Sequence, residues 1–299
     1  MTVLVTGASG SIGPSAIRAF RRSFPEVRAY VRRPDAAEAL RDLGAKVAVG
    51  EADDVETLTT AMYGTFTVCH LIGAIDVPGE EDLRFANAGS VEVALEAAER
   101  AGVRRFLFLS SPGAETSSDH PFLRAKSEAE SMIAASGLEH AIVRCAHVYG
   151  PGPGLWFSTA LELALLDPPA VVGAPDTSLA PVFVEDVADV LAAADDRDGT
   201  VAGTWDLQGP EVITAAGFVA LVDPEAAAPR AIDPTTAGEL SGLLGRPVSL
   251  AAVRFLSSPS RAGGPDAAEE FGVARTSLED GLRRTIERSV DVRLERWTS

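Results

Sequence analysis

The chain has 299 residues, a formal net charge of −17 and 46% hydrophobic side chains, enough to bury one large α/β core with or without a small appendage. Its apolar runs are too short to span a bilayer, and it lacks the clustered Lys and Arg that a phosphodiester backbone attracts. Membrane and nucleic-acid partners are therefore not expected, and a soluble, cytoplasmic protein is.

In chain order, residues 3–6 read as a strand that runs straight into a glycine-rich turn, so no secretory leader is expected. Further apolar, strand-like runs fall at 27–32, 46–49, 67–72, 105–110 and 140–144. They alternate with amphipathic stretches at 11–22, 36–43, 55–63, 83–101 and 122–136. Alternation of this kind predicts βαβ units in a doubly wound parallel sheet, a Rossmann-type α/β fold buried on both faces. The dinucleotide-binding domain is expected over residues 1–149. At Gly150, Pro151, Gly152, Pro153 and Gly154 the rhythm breaks, since neither helix nor strand continues through such a run. Beyond it we expect a helix at 156–166, a short strand at 170–173, a segment at 182–194, a solvated loop at 195–199, a strand at 203–207 and three helices. Residues 150–299 would thus form a smaller mixed lobe that completes a substrate pocket and partly returns to the sheet.

Cys69 and Cys145 sit in apolar runs and read as core thiols. Histidines at 70, 120, 140 and 147 give no helix-spaced pair with a third ligand, so no metal is expected.

The first turn carries the chemistry. Gly7, Ser9, Gly10, Ser11, Ile12 and Gly13 lie between a strand and a helix. Glycine there permits a tight turn and close approach of the backbone to a pyrophosphate, while the helix N-terminus holds the anion. NAD-selective folds commonly place a carboxylate after the second strand to take the ribose 2′-hydroxyl. Here Arg32 and Arg33 follow it, and their fork geometry suits a 2′-phosphate, which favours NADP(H) over NAD(H).

With these residues the chain resembles the short-chain dehydrogenase/reductase superfamily, in particular the extended and atypical branches that include the NmrA-like proteins, from Val3 to about Gly209. The resemblance implies that Glu51 and Ala52 contact the adenine and that Leu71, Ile72 and Gly73 lie along the cofactor. Asn87 stands where such proteins often keep a helix asparagine. Phe108-Leu109-Ser110-Ser111 resembles the strand bearing the catalytic serine, Ser111. Residues 122–126 resemble the Tyr-x-x-x-Lys helix with Lys126 on the nicotinamide ribose, yet Phe122 replaces the tyrosine. Residues 144–150 resemble the segment lining nicotinamide and substrate, which would turn His147 and Tyr149 toward the pocket, and residues 182–188 resemble one that packs the lobe back on the sheet.

A phenylalanine can neither donate nor accept the proton that accompanies hydride transfer. Tyr149, His147, water, His120 and Lys126 itself remain as sources. Three functions stay open: an NADP(H)-dependent reductase acting on a small molecule, a non-catalytic NAD(P)-binding sensor or assembly protein, and an isomerase or dehydratase with retained cofactor. A homodimer or a protein partner is compatible with each. Trp156 and Phe157 suggest a partly aromatic pocket.

Overall fold

The computed structural model describes residues 2–145, 147–152, 155–196, 200–260 and 263–298. Ala146, Pro153, Gly154 and residues 197–199, on which parts of the sequence reading fall, lie outside the described residues.

Six strands alternate with helices through the first half: β1 (Thr2–Thr6), α1 (Gly13–Ser23), β2 (Glu26–Val31), α2 (Ala37–Asp42), β3 (Lys46–Val49), α3 (Val55–Met62), β4 (Thr67–His70), α4 (Glu80–Arg84), α5 (Ser90–Ala101), β5 (Arg105–Ser110), α6 (Pro121–Ala135) and β6 (Glu139–Cys145). The second half supplies β7 (Val148–Tyr149), α7 (Leu155–Ala164), β8 (Ala170–Val172), β9 (Ser178–Leu179), β10 (Val182–Phe183), α8 (Val184–Asp196) and β11 (Ala202–Leu207). It closes with β12 (Ile213–Thr214), α9 (Ala215–Val222), β13 (Arg230–Ile232), α10 (Gly238–Leu244), α11 (Leu250–Leu256), α12 (Ala267–Glu270) and α13 (Leu278–Thr298).

Seven strands form one parallel sheet in the order β3-β2-β1-β4-β5-β6-β11. Successive side chains of a strand face opposite ways. Val3 and Val5 accordingly join Ile17 and Phe20 of α1 and Val187, Val190 and Leu191 of α8 on one face. Leu4 joins Leu58, Val91, Ala94, Phe106 and Ile133 on the other. Full burial of a side chain such as Ile17 or Phe20 contributes about 2 kcal/mol. The strand order reverses between β1 and β4, so their carboxyl ends part and leave a crevice.

Several expectations need correction. The solvated loop expected at 195–199 begins as helix. Asp195 lies in the last turn of α8, is 5% exposed, accepts a 2.5 Å hydrogen bond from Thr67 Oγ1 and lies 3.3 Å from the Arg105 guanidinium. The helix expected over 83–101 is interrupted by a π-helical turn at Phe85–Gly89. Gly89 makes room for it, because a Cβ there would meet the Phe85 ring at 2.8 Å. Five helices, α9 to α13, follow β11 where three were expected; α9 to α12 are four to eight residues long, too short to show a clear 3.6-residue period.

A second apolar core, containing Tyr149, Trp156, Phe157, Phe183, Phe218, Leu240 and Val253, lies among α7, α9, α10 and α11. Among the described residues no helix is long and apolar enough to cross a membrane.

Candidate active site

Gly7 follows β1 with φ +63°, and a Cβ there would stand 2.7 Å from the Leu71 carbonyl and the Ile72 nitrogen. Only glycine fits, because both the conformation and the space demand it. The Gly10 amide closes the turn by donating to the Gly7 carbonyl at 2.9 Å. Gly13 opens α1 with its Cβ position 2.1 Å from the Ala8 carbonyl oxygen. That helix has no side-chain cap and no acidic residue in its first turn. Its free amides and positive dipole end therefore suit an anion.

The loop forms one wall of a cavity of about 410 Å³ at the crevice between β1 and β4. Gly7, Gly10, Ser11, Ile12 and Gly13 line it on one side, Leu71, Ile72 and Gly73 across the middle, and Ser111 and Lys126 beyond. Ser9 is exposed at the loop tip and does not line it.

Lys126 is 6% exposed and donates to the Leu109 carbonyl at 2.9 Å. Its Nζ stands 4.6 Å above the Phe108 ring and 5.6 Å from that of Phe122, one turn earlier on α6. Burial lowers its pKa to about 8. A Cβ on Gly73 would lie 3.1 Å from Asn87 Oδ1 and 3.4 Å from Lys126 Nζ, so this glycine clears the floor onto which both polar atoms open.

Asn87 sits on the π turn, with Nδ2 donating to the carbonyls of Ala74 at 2.6 Å and Leu83 at 2.9 Å. Its buried Oδ1 has no hydrogen-bond partner, and neither does the buried Ser110 Oγ. Ser111 Oγ has only a 3.5 Å contact with the Pro112 carbonyl. Buried polar atoms are rarely left unpaired. Amides for a diphosphate, an open floor and unpartnered polar atoms beside an ammonium together fit a dinucleotide with its ribose.

Four adenosine-side candidates stand outside this lining. Arg32 and Arg33 are exposed just after β2, with Arg33 Nε 3.5 Å from Asp35. Glu51 and Ala52 follow β3 on the same sheet edge. Tyr30 holds that turn by donating to the Glu51 carbonyl at 2.9 Å, and burial pushes its phenol up to about 12.

Two catalytic candidates are misplaced by the sequence reading. Tyr149 does not line the cavity. Its ring, 2% exposed, packs against Phe157 and Phe183, and its hydroxyl points to the Ser277 carbonyl at 3.4 Å. Burial raises its pKa, further weakening it as an acid. His147 lies behind the wall formed by Trp156 and Phe255, its ring centroid 5.1 and 5.5 Å from theirs. Its Nδ1 is 3.0 Å from Ser260 Oγ, and burial holds it neutral, near 4. His120 caps α6, accepting from the Phe122 amide at 3.3 Å.

The sequence reading also passed over two features. Phe255 enters the cavity from α11 and meets Phe122 edge-on at 5.7 Å. His70, fully buried beneath the floor, joins Thr6 Oγ1 at 3.0 Å to Ser90 Oγ at 3.3 Å. The strand assignment for 67–72 in the sequence pointed to His70 as core but gave no sign of its partners.

A doubly wound sheet with a glycine turn, anion-ready helix and polar floor at its switch point defines a dinucleotide-binding protein. The NAD(P)H-binding family model matches residues 7–198, and the chain belongs to that family. It is 30% identical over 195 residues to "Ceramide reductase" of Caulobacter vibrioides, covering 64% of this chain and 60% of that protein. It is 29% identical over 220 residues to "NADH dehydrogenase [ubiquinone] 1 alpha subcomplex subunit 9, mitochondrial" of Arabidopsis thaliana, covering 70% and 54%. The chain thus spans little more than half the length of these relatives. Its fold is similar to that of DesIV, a dTDP-glucose 4,6-dehydratase from Streptomyces venezuelae, with a TM-score of 0.76, 19% identity and 96% of each chain covered.

Proposed function

We propose that the protein is an NADP(H)-dependent oxidoreductase acting on a small organic carbonyl compound. The observation that carries this reading is the convergence of Ser111, Lys126 and the unpartnered Asn87 Oδ1 on the cavity that the glycine loop opens. When bound, the nicotinamide supplies or accepts hydride. The amides of residues 11–13 hold the pyrophosphate, and Lys126 and Asn87 orient the adjoining ribose through hydrogen bonds they do not make within the protein. Arg32 and Arg33, exposed after β2, select the 2′-phosphate by charge-assisted hydrogen bonds.

Ser111 donates a hydrogen bond to the substrate oxygen. Phe122 cannot pass a proton to that oxygen, and Tyr149 and His147 face elsewhere. Lys126, protonated at neutral pH and held near 8 by burial, and water entering the cavity are the remaining donors. Similarity to a ceramide reductase supports turnover as such.

A second reading, cofactor binding without turnover, is favoured by Phe122 and by similarity to a protein named as a subunit of NADH dehydrogenase [ubiquinone]. Calorimetry with NADPH and NADH, followed by NADPH oxidation across a panel of ketones, aldehydes and enones, separates the two. Binding with turnover of a panel member supports the first reading. Binding with no turnover, together with a partner recovered by pull-down, supports the second, and absence of binding overturns both.

A further inference from the structure

Charge and shape on the far side of the cavity define what it can hold. Past Lys126 the lining changes from backbone and polar atoms to Phe122, Trp156, Phe255, Ile75 and Val148. The three rings come from α6, α7 and α11, and His147 backs two of them as a neutral ring. Behind Trp156 lies a smaller hollow of about 30 Å³, lined by Leu163, Val171, Leu179, Phe218 and Leu256 among others, with no charged side chain in its lining among the described residues. Trp156 and the helix carrying Phe255 therefore divide the cavity from an apolar continuation.

Two charged side chains line the main cavity among the described residues, Lys126 and Asp76. Lys126 faces the cofactor floor. Asp76 is engaged from the other side, accepting from the Ser249 amide at 2.7 Å and standing 3.5 Å from the Arg246 guanidinium. Another guanidinium near this mouth, that of Arg254, is likewise paired, 2.7 Å from Asp119. An anionic group seated against the three rings would lose its hydration and find no cation in exchange, a cost that an uncharged group avoids.

Resting on the oxidoreductase reading, we infer that the substrate is an uncharged carbonyl compound with a flat or extended apolar body, seated on the Phe122, Trp156 and Phe255 wall with its oxygen toward Ser111. Nucleotide sugars and other phosphorylated or carboxylated compounds are poor occupants of that wall. Offset or edge-to-face stacking on the rings supplies the recognition.

The test uses the full chain saturated with NADP⁺ and three probes: 2-acetylnaphthalene, its carboxylated analogue 6-acetyl-2-naphthoate, and UDP-glucose. Calorimetry, with Trp fluorescence as a second readout, is expected to show saturable binding of 2-acetylnaphthalene, at least about tenfold tighter than the carboxylated analogue, and none of UDP-glucose. Trp156→Ala should weaken the neutral probe and remove most of its fluorescence response. Phe255→Arg should reverse the preference by giving the carboxylate a partner, a gain that a misfolded variant cannot show. No saturable binding of 2-acetylnaphthalene, equal or tighter binding of 6-acetyl-2-naphthoate, or tighter binding of UDP-glucose would overturn the inference. Failure of NADP⁺ itself to bind would instead strike the reading on which it rests.

Discussion

The two sides of the cavity are built by different means. The cofactor side is made of backbone, a turn in which Gly7 and Gly13 admit no Cβ and whose free amides we assign to the pyrophosphate, in one segment of seven residues from Gly7 to Gly13. On the substrate side three aromatic rings meet from helices 133 residues apart in the chain, from Phe122 to Phe255. A site of the first kind is brittle toward added atoms and indifferent to most side-chain chemistry. The second kind tolerates changes of volume but follows side-chain identity closely.

The sharpest way to break this contrast is to add atoms at the turn. In Gly13→Val the new side chain begins 2.1 Å from the Ala8 carbonyl oxygen, a backbone atom of the turn between β1 and α1 that cannot swing away as a side chain could. The expected loss is at least about 3 kcal/mol of stability, read as a large fall in Tm together with loss of NADP⁺ binding. By contrast, a Cβ on Gly10 meets only the Gly7 carbonyl, at 3.2 Å. Gly10→Ala should keep the fold while weakening the cofactor, because the methyl group occupies the space where the pyrophosphate approaches. A Gly13→Val protein with unchanged Tm and affinity would show that this turn is not the rigid device described above.

Acid tests the supports behind each side. His70 lies beneath the floor and His147 behind the aromatic wall, and burial lowers their pKa values to about 3 and about 4. Both rings bind protons more weakly in the folded protein than in the unfolded chain. Their stabilising contribution is therefore complete above about pH 6.5 and is lost as pH falls toward those lower values. Within that window each histidine steepens the loss of stability by up to about 1.4 kcal/mol per pH step. Denaturant titrations at a series of pH values should show this slope, and His70→Asn or His147→Asn should each flatten it. An unaltered slope in either variant would mean that the ring takes up its proton without opening the structure.

The same contrast explains what could be read from the sequence. Strands buried on both faces announce themselves as apolar runs, so β1, β2, β4, β5 and β6 were legible, as was the turn after β1, and the half-exposed edge strand β3 was still apolar enough to read; with them came the fold. Features that depend on distant partners were not. Asp195 sits in a run of charges that looks solvated, and only the fold brings Arg105 and Thr67, 90 and 128 residues away, to neutralise and cover it. Tyr149 belongs to a segment resembling a pocket lining, yet Phe157 and Phe183 draw its ring into the second core. Phe255 lies on a seven-residue helix among several short ones, where neither period nor motif marks it. Gly89 looked like an ordinary helix residue, and Asn87 stood out by resemblance alone, because a π turn leaves no pattern distinct from that of the α-helix around it.

Cofactor choice is a smaller effect on the backbone-built side, carried by side chains at its margin. Arg32 and Arg33 are exposed, so their removal should leave Tm nearly unchanged. The double variant Arg32→Ser with Arg33→Ser should lower NADPH affinity at least about tenfold, since the loss of even one charge-assisted hydrogen bond costs roughly 1.5 kcal/mol or more. NADH affinity should hardly move. Equal losses for both nucleotides in calorimetry would show that the pair contacts something other than the 2′-phosphate.

A substitution that costs little stability is the most informative about chemistry. Phe122→Tyr adds one oxygen to a ring that already lines the cavity and stands 5.6 Å from Lys126 Nζ. The new hydroxyl can reach toward that ammonium and toward the cavity, so stability should change by no more than about 1 kcal/mol. A phenol beside an ammonium ionises more readily, and a positioned acid of this kind commonly accelerates proton transfer about a hundredfold or more. NADPH oxidation with 2-acetylnaphthalene should therefore rise in the variant if Phe122 has removed the proton donor and left the rest of the geometry intact. Unchanged, measurable turnover in both proteins would argue that Lys126 or water already meets the demand for a proton and that the step limiting the rate lies elsewhere. If activity is absent from both while NADP⁺ still binds, the loss runs deeper than one missing oxygen, and cofactor binding without turnover becomes the better account of the site.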